Sequence, residues 1–434
     1  MSLFNKMRMG ASIFIKVGAV LTLWSAGQAA HALPSYARQT GMDCVACHVG
    51  GFGPQLTPAG IRFKLGGYTD SDGQEGKVPL SGMVVGSWTH TKADQVPVGN
   101  VKANNNLKMD EASIFLAGRL LPNVGSFVQM TYDGVEKKVA LDHVDVRYAR
   151  ALEINGKDSI LGVSVNNNPG VQDAFNTMPV WGYPFIGSPV AGGTGDSASL
   201  INGGLEHRVA GASGYVFYDN TWYGELGTYR SLSSSFQTKL GQGPVDDTLN
   251  KLGANTYWRM GWFKDLKSQA LHLGMFGWNA EVLNDRTSPA DPRNKYRDLG
   301  VDGSYQFLGT REHMATLNGS YIRERKTDGV TSDISRINER RLNASYHFQQ
   351  TWGGSFGVFS NSALDAAGLD AGTRGHLVQV DWTPWGQENR VAPAPFSAAN
   401  LRLGAQYWMY SKFNGDTVAA KDHNTVYLFA WTSF

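Results

Sequence analysis

The chain has 434 residues, a net charge of +2 and 18% charged residues. It has neither a polybasic stripe nor an acidic tail, which argues against a nucleic-acid partner. Beyond the first thirty or so residues no run of about 18 apolar residues occurs, so we expect no transmembrane helix. A soluble β protein and a membrane β-barrel both remain compatible with this composition.

Residues 1–32 have the pattern of a secretory signal peptide. Positive charges precede a short apolar run, Val17 to Ala26, and Ala30-His31-Ala32 suits signal peptidase. The run is shorter than the roughly 20 residues of a membrane-spanning helix, so a retained anchor is the less favoured alternative. We expect an exported protein whose mature chain begins near Leu33.

Both cysteines of the chain lie in one motif, Cys44-Val-Ala-Cys47-His48. C-x-x-C-H is the attachment signature of a c-type haem, in which the thiols bond to the porphyrin and the histidine binds the iron. A thioredoxin-like pair would need a βαβ context, and a structural zinc site needs four ligands. A disulfide across so few residues would be strained and would stabilise little. We predict one covalent haem c, attached at Cys44 and Cys47, with His48 as the proximal ligand.

The motif lies in a short segment, residues 33–77, which we predict to be a haem-binding unit of coil and one short helix. Thr57 suits an N-cap and Pro58 the first helical position, so the helix should continue from Ala59 to Leu65 and end at Gly66-Gly67. A segment of about 45 residues seldom folds alone without additional stabilisation, such as a covalent cross-link or a bound cofactor. A covalent haem and contact with a surrounding barrel wall would each stabilise it.

Residues 78–434 alternate apolar and polar side chains, as the strands of a transmembrane β-barrel do. Near the C-terminus, Leu401, Leu403, Ala405, Tyr407 and Met409 alternate with Arg402, Gly404, Gln406, Trp408 and Tyr410. The last strand has Val426, Leu428, Ala430, Thr432 and Phe434 on one face. Earlier, Val144, Val146 and Tyr148 alternate with His143, Asp145 and Arg147. We expect lipid on the apolar face and a polar lumen on the other.

Short turns alternate with longer polar loops along this region. The turns are predicted at 122–123, 155–158, 219–220, 265–267, 309–311 and 349–350, and the loops at about 133–139, 167–203, 232–253, 282–296, 325–333, 363–374 and 412–421. Such alternation is typical of a barrel with one periplasmic and one external rim, and the count predicts about sixteen antiparallel strands. The connection 385–397 breaks the alternation, being long where a turn is expected. The terminal Phe434 resembles the closing-strand signal of outer-membrane barrels, so we predict an all-β barrel in the bacterial outer membrane.

The longest external connection, 167–203, carries Phe175, Trp181, Tyr183 and Phe185, which a hydrophilic flap would not. It either folds into its own small cluster or dips into the barrel and packs on a prosthetic group. We favour the second arrangement slightly.

The residues from Tyr36 to His48, together with Pro54 to Tyr68, resemble the fused monohaem cytochrome–porins. These are outer-membrane iron oxidases of iron-oxidising bacteria, and the barrel is similar in length, topology and the stretch from Asn167 to Phe185. The resemblance implies a haem segment in or at the mouth of the barrel. It also implies electron transfer from extracellular Fe(II) to a periplasmic carrier such as a c-type cytochrome, with Cys44, Cys47 and His48 in the roles given above.

The distal haem ligand does not follow from the motif. The candidates are Met42, Met83, His90, Met109 and His143. In the first strand the small polar residues share a face with Met83, so Met83 should point into the lumen and His90 outward. Met83 is the favoured candidate because Met/His ligation raises the potential of a haem. An open sixth position and a second histidine stay open.

Three functions are compatible with these patterns. The first is an electron conduit that oxidises extracellular Fe(II), and the second is a conduit that delivers electrons outward. The third is a haem-plugged diffusion porin, in which His143, Asp145, Arg147, Arg402 and Gln406 would line the solute path. For the first, carboxylates on or beside the predicted outer loops are expected either to attract iron or to be ordinary solvated charges. These carboxylates are Asp173, Asp196, Glu281, Asp285 and Asp291.

Overall fold

The computed structural model describes residues 34–242, 250–387 and 399–434. The predicted signal peptide and most of the connection 385–397 lie outside the described residues. Within them the helices are α1 (Pro34–Thr40), α2 (Cys44–Cys47), α3 (Pro58–Leu65) and α4 (Ser234–Lys239), with 3-10 turns at Val49–Gly51, Pro179–Trp181 and Ala420–His423 and a π turn at Leu200–Gly204. No helix among the described residues has both the length and the hydrophobicity needed to cross a membrane.

Sixteen antiparallel strands form one closed barrel in which each strand pairs with its neighbours in sequence. The strands are β1 (Leu80–Thr91), β2 (Asn106–Leu121), β3 (Val124–Asp133), β4 (Lys138–Ile154), β5 (Lys157–Asn166), β6 (Val209–Tyr218), β7 (Trp222–Ser231), β8 (Lys251–Asp265), β9 (Gln269–Leu283), β10 (Asn294–Phe307), β11 (His313–Thr327), β12 (Ile334–Phe348), β13 (Trp352–Leu364), β14 (Arg374–Trp382), β15 (Asn400–Lys412) and β16 (Thr425–Ser433). The barrel closes where β1 pairs with β16, from Met83 opposite Ser433 to Thr91 opposite Thr425. The predicted architecture and strand number are confirmed.

The two rims of the barrel differ, as the sequence predicted. All six predicted short turns connect consecutive strands at one rim, and the longer loops connect them at the other. The C-terminal Phe434 lies at the short-turn rim, where its backbone N–H donates to the Gly82 carbonyl at 2.9 Å. Short turns are periplasmic in barrels of this kind, so the long-loop rim faces the exterior.

The outer face of the barrel is apolar. Side chains such as Leu161, Val163 and Leu273 are exposed there in the middle of their strands. Large aromatic side chains are exposed near the periplasmic ends, including Trp222, Trp352 and Trp382. An apolar band bordered by aromatic residues is what a lipid bilayer requires of a barrel, and the closed sheet leaves no edge unpaired in lipid. The chain is therefore a bacterial outer-membrane β-barrel.

Residues 34–69 lie mostly inside this barrel and bond directly to its wall, whereas residues 70–76 are largely exposed. Tyr68 donates to Asp145 at 2.6 Å, and Tyr215 donates to the Leu65 carbonyl at 2.7 Å. Gln306 donates to the Leu56 carbonyl at 2.7 Å. The helix α3 has the predicted bounds, and the Thr57 side chain caps it by accepting from the Gly60 N–H at 3.4 Å. The prediction of a single helix was wrong, because α1 and α2 precede it.

The connection between β5 and β6, residues 167–208, also folds into the lumen. Its Val171, Ala174 and Met178 are fully buried. Three carboxylates on the wall accept hydrogen bonds from its backbone: Glu339 from the Ser199 N–H at 2.6 Å, Glu324 from the Leu200 N–H at 2.6 Å and Asp298 from the Ile201 N–H at 2.8 Å. The prediction that this loop enters the barrel is confirmed.

One predicted surface carboxylate was misplaced. Asp173 is fully buried in the lumen, where it lies 3.1 Å from Arg259 and accepts from the Thr177 N–H at 2.7 Å. The reason is that its loop folds inward, so Asp173 is a structural anchor and is not placed to attract iron outside. Asp196, in contrast, is exposed on the same connection.

Candidate functional site

The motif Cys44–His48 consists of one turn of helix followed by an extended residue. Cys44 and Cys47 lie at opposite ends of α2, and the His48 N–H donates to the Cys44 carbonyl at 2.9 Å. Thr57 then joins the turn to α3, because its N–H donates to the Cys47 carbonyl at 2.9 Å and its hydroxyl to the Ala46 carbonyl at 2.6 Å. Both thiols therefore project from one short, firmly bonded turn.

A glycine allows α3 to lie against this turn. A Cβ atom at Gly60 would be 2.4 Å from the Cys47 carbonyl oxygen. Real Cβ atoms do not approach backbone oxygen so closely, and a backbone carbonyl cannot swing aside as a flexible side chain can. Gly60 thus fixes the distance between the motif and α3.

The motif is held at the periplasmic rim of the barrel. Asn400, the first residue of β15, donates to Cys44 Sγ at 3.2 Å and to the Gly51 carbonyl at 3.0 Å. Arg311, in the turn between β10 and β11, donates to the Val45 carbonyl at 2.9 Å. These contacts come from the ends of strands that meet the periplasm.

The protonation of these groups separates the motif from a redox-active cysteine pair. Burial and the nearby Asp70 carboxylate together raise the pKa of the Cys47 thiol to about 11. A disulfide-exchanging cysteine has a lowered pKa instead. Burial also lowers the pKa of His48 to about 4, so its ring is neutral at pH 7, as a metal ligand must be.

Cys44, Cys47 and His48 line a cavity of about 440 Å³ inside the barrel. Its size is within the range of cofactor pockets, and such pockets are mostly apolar. The apolar side chains on its wall include Met83, Phe115, Phe127, Trp181, Phe185 and Trp431. Trp181 and Phe185 come from the inserted loop, and their packing on a prosthetic group stays a prediction.

The cavity extends from the periplasmic rim towards the outer half of the barrel. Met83 is the fourth residue from the periplasmic end of β1, whereas His143 is the sixth residue from the external end of β4. Both line the same cavity. The space beside the motif thus reaches along the axis of the barrel.

The structure sorts the candidate distal ligands. Met42, Met83 and His143 line the cavity. Met109 points outward and is 43% exposed, and His90 stacks on the outward-facing Trp88. Met83 is 8% exposed and faces the lumen as predicted, while its bond to a haem iron stays a prediction.

Two basic side chains on the cavity wall complete the polar part of the site. Lys64 donates to the Val171 carbonyl at 2.9 Å and to Asn176 Oδ1 at 2.8 Å, and Arg341 also lines the cavity. Burial and the nearby Arg147 guanidinium lower the pKa of Lys64 to about 7. Two thiols, a neutral imidazole with an unpartnered Nδ1, an apolar cavity and two basic side chains are a donor set that fits a covalent haem with two propionates.

Four of the five side chains proposed to line a solute path bond to the inserted segments instead. His143, Asp145, Arg147, Arg402 and Gln406 do face the lumen. Asp145 and Arg147, however, are fully buried, and Arg147 donates to the Lys64 carbonyl at 3.2 Å. Arg402 donates to the Gly50 carbonyl at 3.2 Å and Gln406 to the Ile186 carbonyl at 2.7 Å. All four anchor the inserted segments.

A second cluster of potential ligands borders the cavity, and the sequence analysis missed it as a unit. Asp142, His143 and His207 bring one donor atom each to within 4.8 Å of one another. It is the one such group of three or more histidine, cysteine or acidic residues in the part of the chain that the structure describes. His207 is distant in sequence from the other two, and no spacing signal connects them.

No family model matches the sequence, and no curated protein does. Among solved structures, the chain is similar to an anion-selective porin from Comamonas acidovorans, with 10% identity over 82% of this chain and 98% of the porin and a TM-score of 0.47. It is also similar to the outer membrane channel DcaP of Acinetobacter baumannii, with 10% identity over 82% and 96% and a TM-score of 0.45. It is similar, too, to a loop-deletion mutant of OmpT from Vibrio cholerae, with 9% identity over 82% of this chain and 97% of OmpT and a TM-score of 0.43. The fold of this chain follows from its own strand pairing, because sequence identities of 9–10% and TM-scores below 0.5 carry no argument about function.

Proposed function

We propose that this barrel is an electron conduit that oxidises extracellular Fe(II) through one covalently attached c-type haem and passes the electrons to a periplasmic carrier. The observation that carries the proposal is the location of the Cys44–His48 motif. It lies inside a membrane-spanning barrel, on the wall of a cavity that reaches His143 in the outer half. A haem in this position would be a fixed electron-transfer site within the membrane-spanning barrel.

The haem would supply one-electron redox chemistry. The chain's own residues hold and tune it: Cys44 and Cys47 form the thioethers, and His48 binds the iron. Lys64 and Arg341 are placed to pair with the propionate carboxylates. Phe127, Trp181 and the other apolar residues of the wall keep water away and so raise the cost of charge at the iron.

The reaction moves one electron and no proton. Fe(II) outside loses one electron and leaves as Fe(III), and an oxidised c-type cytochrome in the periplasm gains that electron. No general acid or base is needed. This is an Fe(II):cytochrome c oxidoreductase activity, and the choice of iron as the donor is supported by the resemblance of residues Tyr36–Tyr68 to the cytochrome–porins.

The location of the motif supports transfer to a periplasmic carrier. Arg311, in the periplasmic turn that bonds to Val45, is exposed. Gly51 lies against Gly386, in the described part of the connection between β14 and β15. A soluble partner that docks on this rim approaches the attachment site without entering the barrel.

The filling of the lumen favours electron transfer over diffusion of solutes. The inserted loop and the N-terminal segment bond to each other, since Asn176 donates to the Pro54 carbonyl at 2.8 Å. They also share an apolar cluster with the wall, in which Leu56, Ile61 and Leu65 pack with Phe175 and Phe263. Electrons cross a packed interior, whereas hydrated solutes need open water.

The direct test is to purify the protein from outer membranes of a host with a c-type haem attachment system. We expect haem that stays on the chain in a denaturing gel, an α-band typical of c-type haem on reduction, and reduction by Fe(II). Cys44→Ala with Cys47→Ala should abolish covalent haem, while the barrel still shifts its gel mobility on heating. A folded wild-type barrel without covalent haem, or one whose haem Fe(II) cannot reduce, would refute the proposed function.

A further inference from the structure

We propose that Asp142, His143, His207 and Glu206 form a binding site for a divalent first-row transition metal in the outer half of the lumen. The four residues come from the external part of β4 and from the end of the inserted loop, just before β6. Asp142 and His143 also line the cavity that holds the Cys44–His48 motif, and none of the four residues belongs to that motif.

The separations between donor atoms suit a shared ion. His207 Nε2 lies 2.9 Å from Asp142 Oδ1 and 3.4 Å from Glu206 Oε1. His143 Nδ1 lies 3.7 Å from Asp142 Oδ1 and 3.8 Å from Glu206 Oε1. Metal–ligand bonds of about 2.1 Å place neighbouring donors about 3.0 Å apart in an octahedron and about 3.4 Å apart in a tetrahedron. Small rotamer shifts would therefore close the four donors around one ion.

A β-bulge brings two consecutive residues into the lumen. Between Val128 and Met130 the register of β3 against β4 shifts, so that Gln129 faces both Asp142 and His143. Regular alternation would turn one of them towards lipid, but both line the cavity. Bulges commonly redirect side chains beside functional sites. The Asp142 carbonyl at this bulge accepts a hydrogen bond from the Asn167 side chain.

The other residues are also positioned by specific bonds. Thr131 donates to Asp142 Oδ2 at 2.9 Å, which leaves Oδ1 towards the histidines. Asn168 donates to Glu206 Oε1 at 2.7 Å. His207 has a φ of 61°, in the left-handed region that is uncommon for residues other than glycine, and its N–H donates to the Asn167 carbonyl at 3.1 Å.

Two of the donor nitrogens are left without aligned hydrogen bonds. His143 Nδ1 and His207 Nε2 are buried, and their contacts with the Asp142 and Glu206 carboxylates do not have the alignment of a hydrogen bond. The side chains are nevertheless 16% to 31% exposed, so the cluster is open to a small ion. Two imidazoles with one or two carboxylates and open positions are a ligand set that Fe(II) and its neighbours in the series accept.

The location of this cluster connects it to the cavity. The ring of His143 lies 5.8 Å from that of Trp181, and both line the cavity that holds the attachment motif. Resting on the proposed function, we assign this cluster as the place where Fe(II) binds before it gives up its electron. The Fe(II) is oxidised to Fe(III) there, the haem is reduced by the same electron, and Fe(III) leaves to the exterior.

Cobalt binding tests the site itself on the purified full-length protein, because isothermal titration calorimetry measures Co(II) binding whether or not the chain carries haem. We expect one Co(II) per chain, bound at least tenfold more weakly by His207→Gln and by Glu206→Gln. The matched control is His313→Gln, a histidine exposed at the periplasmic rim, which should bind as the wild type does. Heat-modifiable gel mobility verifies that each variant folds. Absence of Co(II) binding by the wild type, or equal affinity in the folded variants, would overturn the site.

Reduction kinetics test its role and separate the two proposals. With Fe(II) as donor, His207→Gln should reduce its haem at least tenfold more slowly than wild type, whereas dithionite, which needs no metal site, should reduce both equally. Equal rates of haem reduction by Fe(II) in His207→Gln and in the wild type would refute the role of this cluster as the site of Fe(II) oxidation. If the protein carries no haem, the proposed function fails while the Co(II) titration still decides the metal site.

Discussion

Single residues decide how closely the attachment motif is held. The Cys47 carbonyl occupies the space that any side chain at Gly60 would need. Gly60→Ala should therefore destabilise the lumen segment by about 1–3 kcal/mol, the usual cost of overpacking, and lower the fraction of chains that carry haem. The measurement is haem content per folded barrel. Gly214→Ala is the control, since nothing lies within 4 Å of its added Cβ, and equal haem content in both variants would contradict this account.

Met83 offers a second test at this scale. A thioether ligand stabilises Fe(II) haem relative to Fe(III), so Met83→Ala should lower the reduction potential by an amount on the order of 100 mV. Met130→Ala removes a methionine that is 49% exposed on the outer face and should leave the potential unchanged. An unaltered spectrum and potential in Met83→Ala would exclude Met83 as the distal ligand.

The sequence predicted some of these residues better than others. The spacing of Cys44, Cys47 and His48 is local, and the inward direction of Met83 follows from alternation in one strand. Asp173 was misplaced because its surroundings depend on where a long loop folds. His207 was missed because it meets Asp142 only through a bulge and a loop end about 65 residues away in the chain, which no local pattern encodes.

At the scale of elements, the inserted loop is held by buried charge. Burial raises the pKa of the Asp173 carboxyl, but the Arg259 guanidinium and the Lys64 ammonium prevail and hold that pKa at about 2. Asp173→Asn should cost about 3 kcal/mol at neutral pH, because Arg259 loses a buried partner. Asp196→Asn, which alters an exposed carboxylate of the same connection, is the control and should have little effect.

The pH dependence of that effect has a definite sign. A carboxyl with a lowered pKa stabilises the fold above its unfolded value of 3.8, and this contribution is lost as the pH falls through about 2. The difference in unfolding temperature between wild type and Asp173→Asn should be full at pH 7 and shrink between pH 4 and pH 2. A difference that grows on acidification would contradict the role of the charged pair.

Element boundaries followed from the sequence where local signals are strong. The cap and proline at Thr57-Pro58 predicted α3, and five of the six short turns fell where glycine, asparagine or aspartate interrupts the alternation, the sixth being Gln349-Gln350. The short helices α1 and α2 carry only weak signals, with Pro34 and Gly41 at the two ends of α1 and Asp43 as an N-cap of α2 whose side chain makes no capping hydrogen bond. They exist because wall residues bond to them, as Arg119 does when its N–H donates to Gln39 Oε1 at 2.6 Å.

At the scale of the whole molecule, alternation and terminal aromatics predicted a closed barrel in the outer membrane. The packing of the lumen was only partly predictable, since it depends on two distant segments meeting inside. Lys64 shows this: it bonds to Val171 and Asn176 of the inserted loop and lies 4.4 Å from the Trp181 ring. Such contacts between the two inserted segments fill the lumen of the barrel with packed, hydrogen-bonded side chains.

Transfer of electrons across a sealed membrane is the most direct test of the central claim. The barrel is reconstituted, with its periplasmic face inward, in liposomes that contain oxidised c-type cytochrome, and Fe(II) is added outside. The account predicts that the enclosed cytochrome is reduced, that His48→Ala protein abolishes this, and that an enclosed small dye does not leak. Leakage of the dye without reduction of the cytochrome would contradict the conduit and leave a diffusion porin.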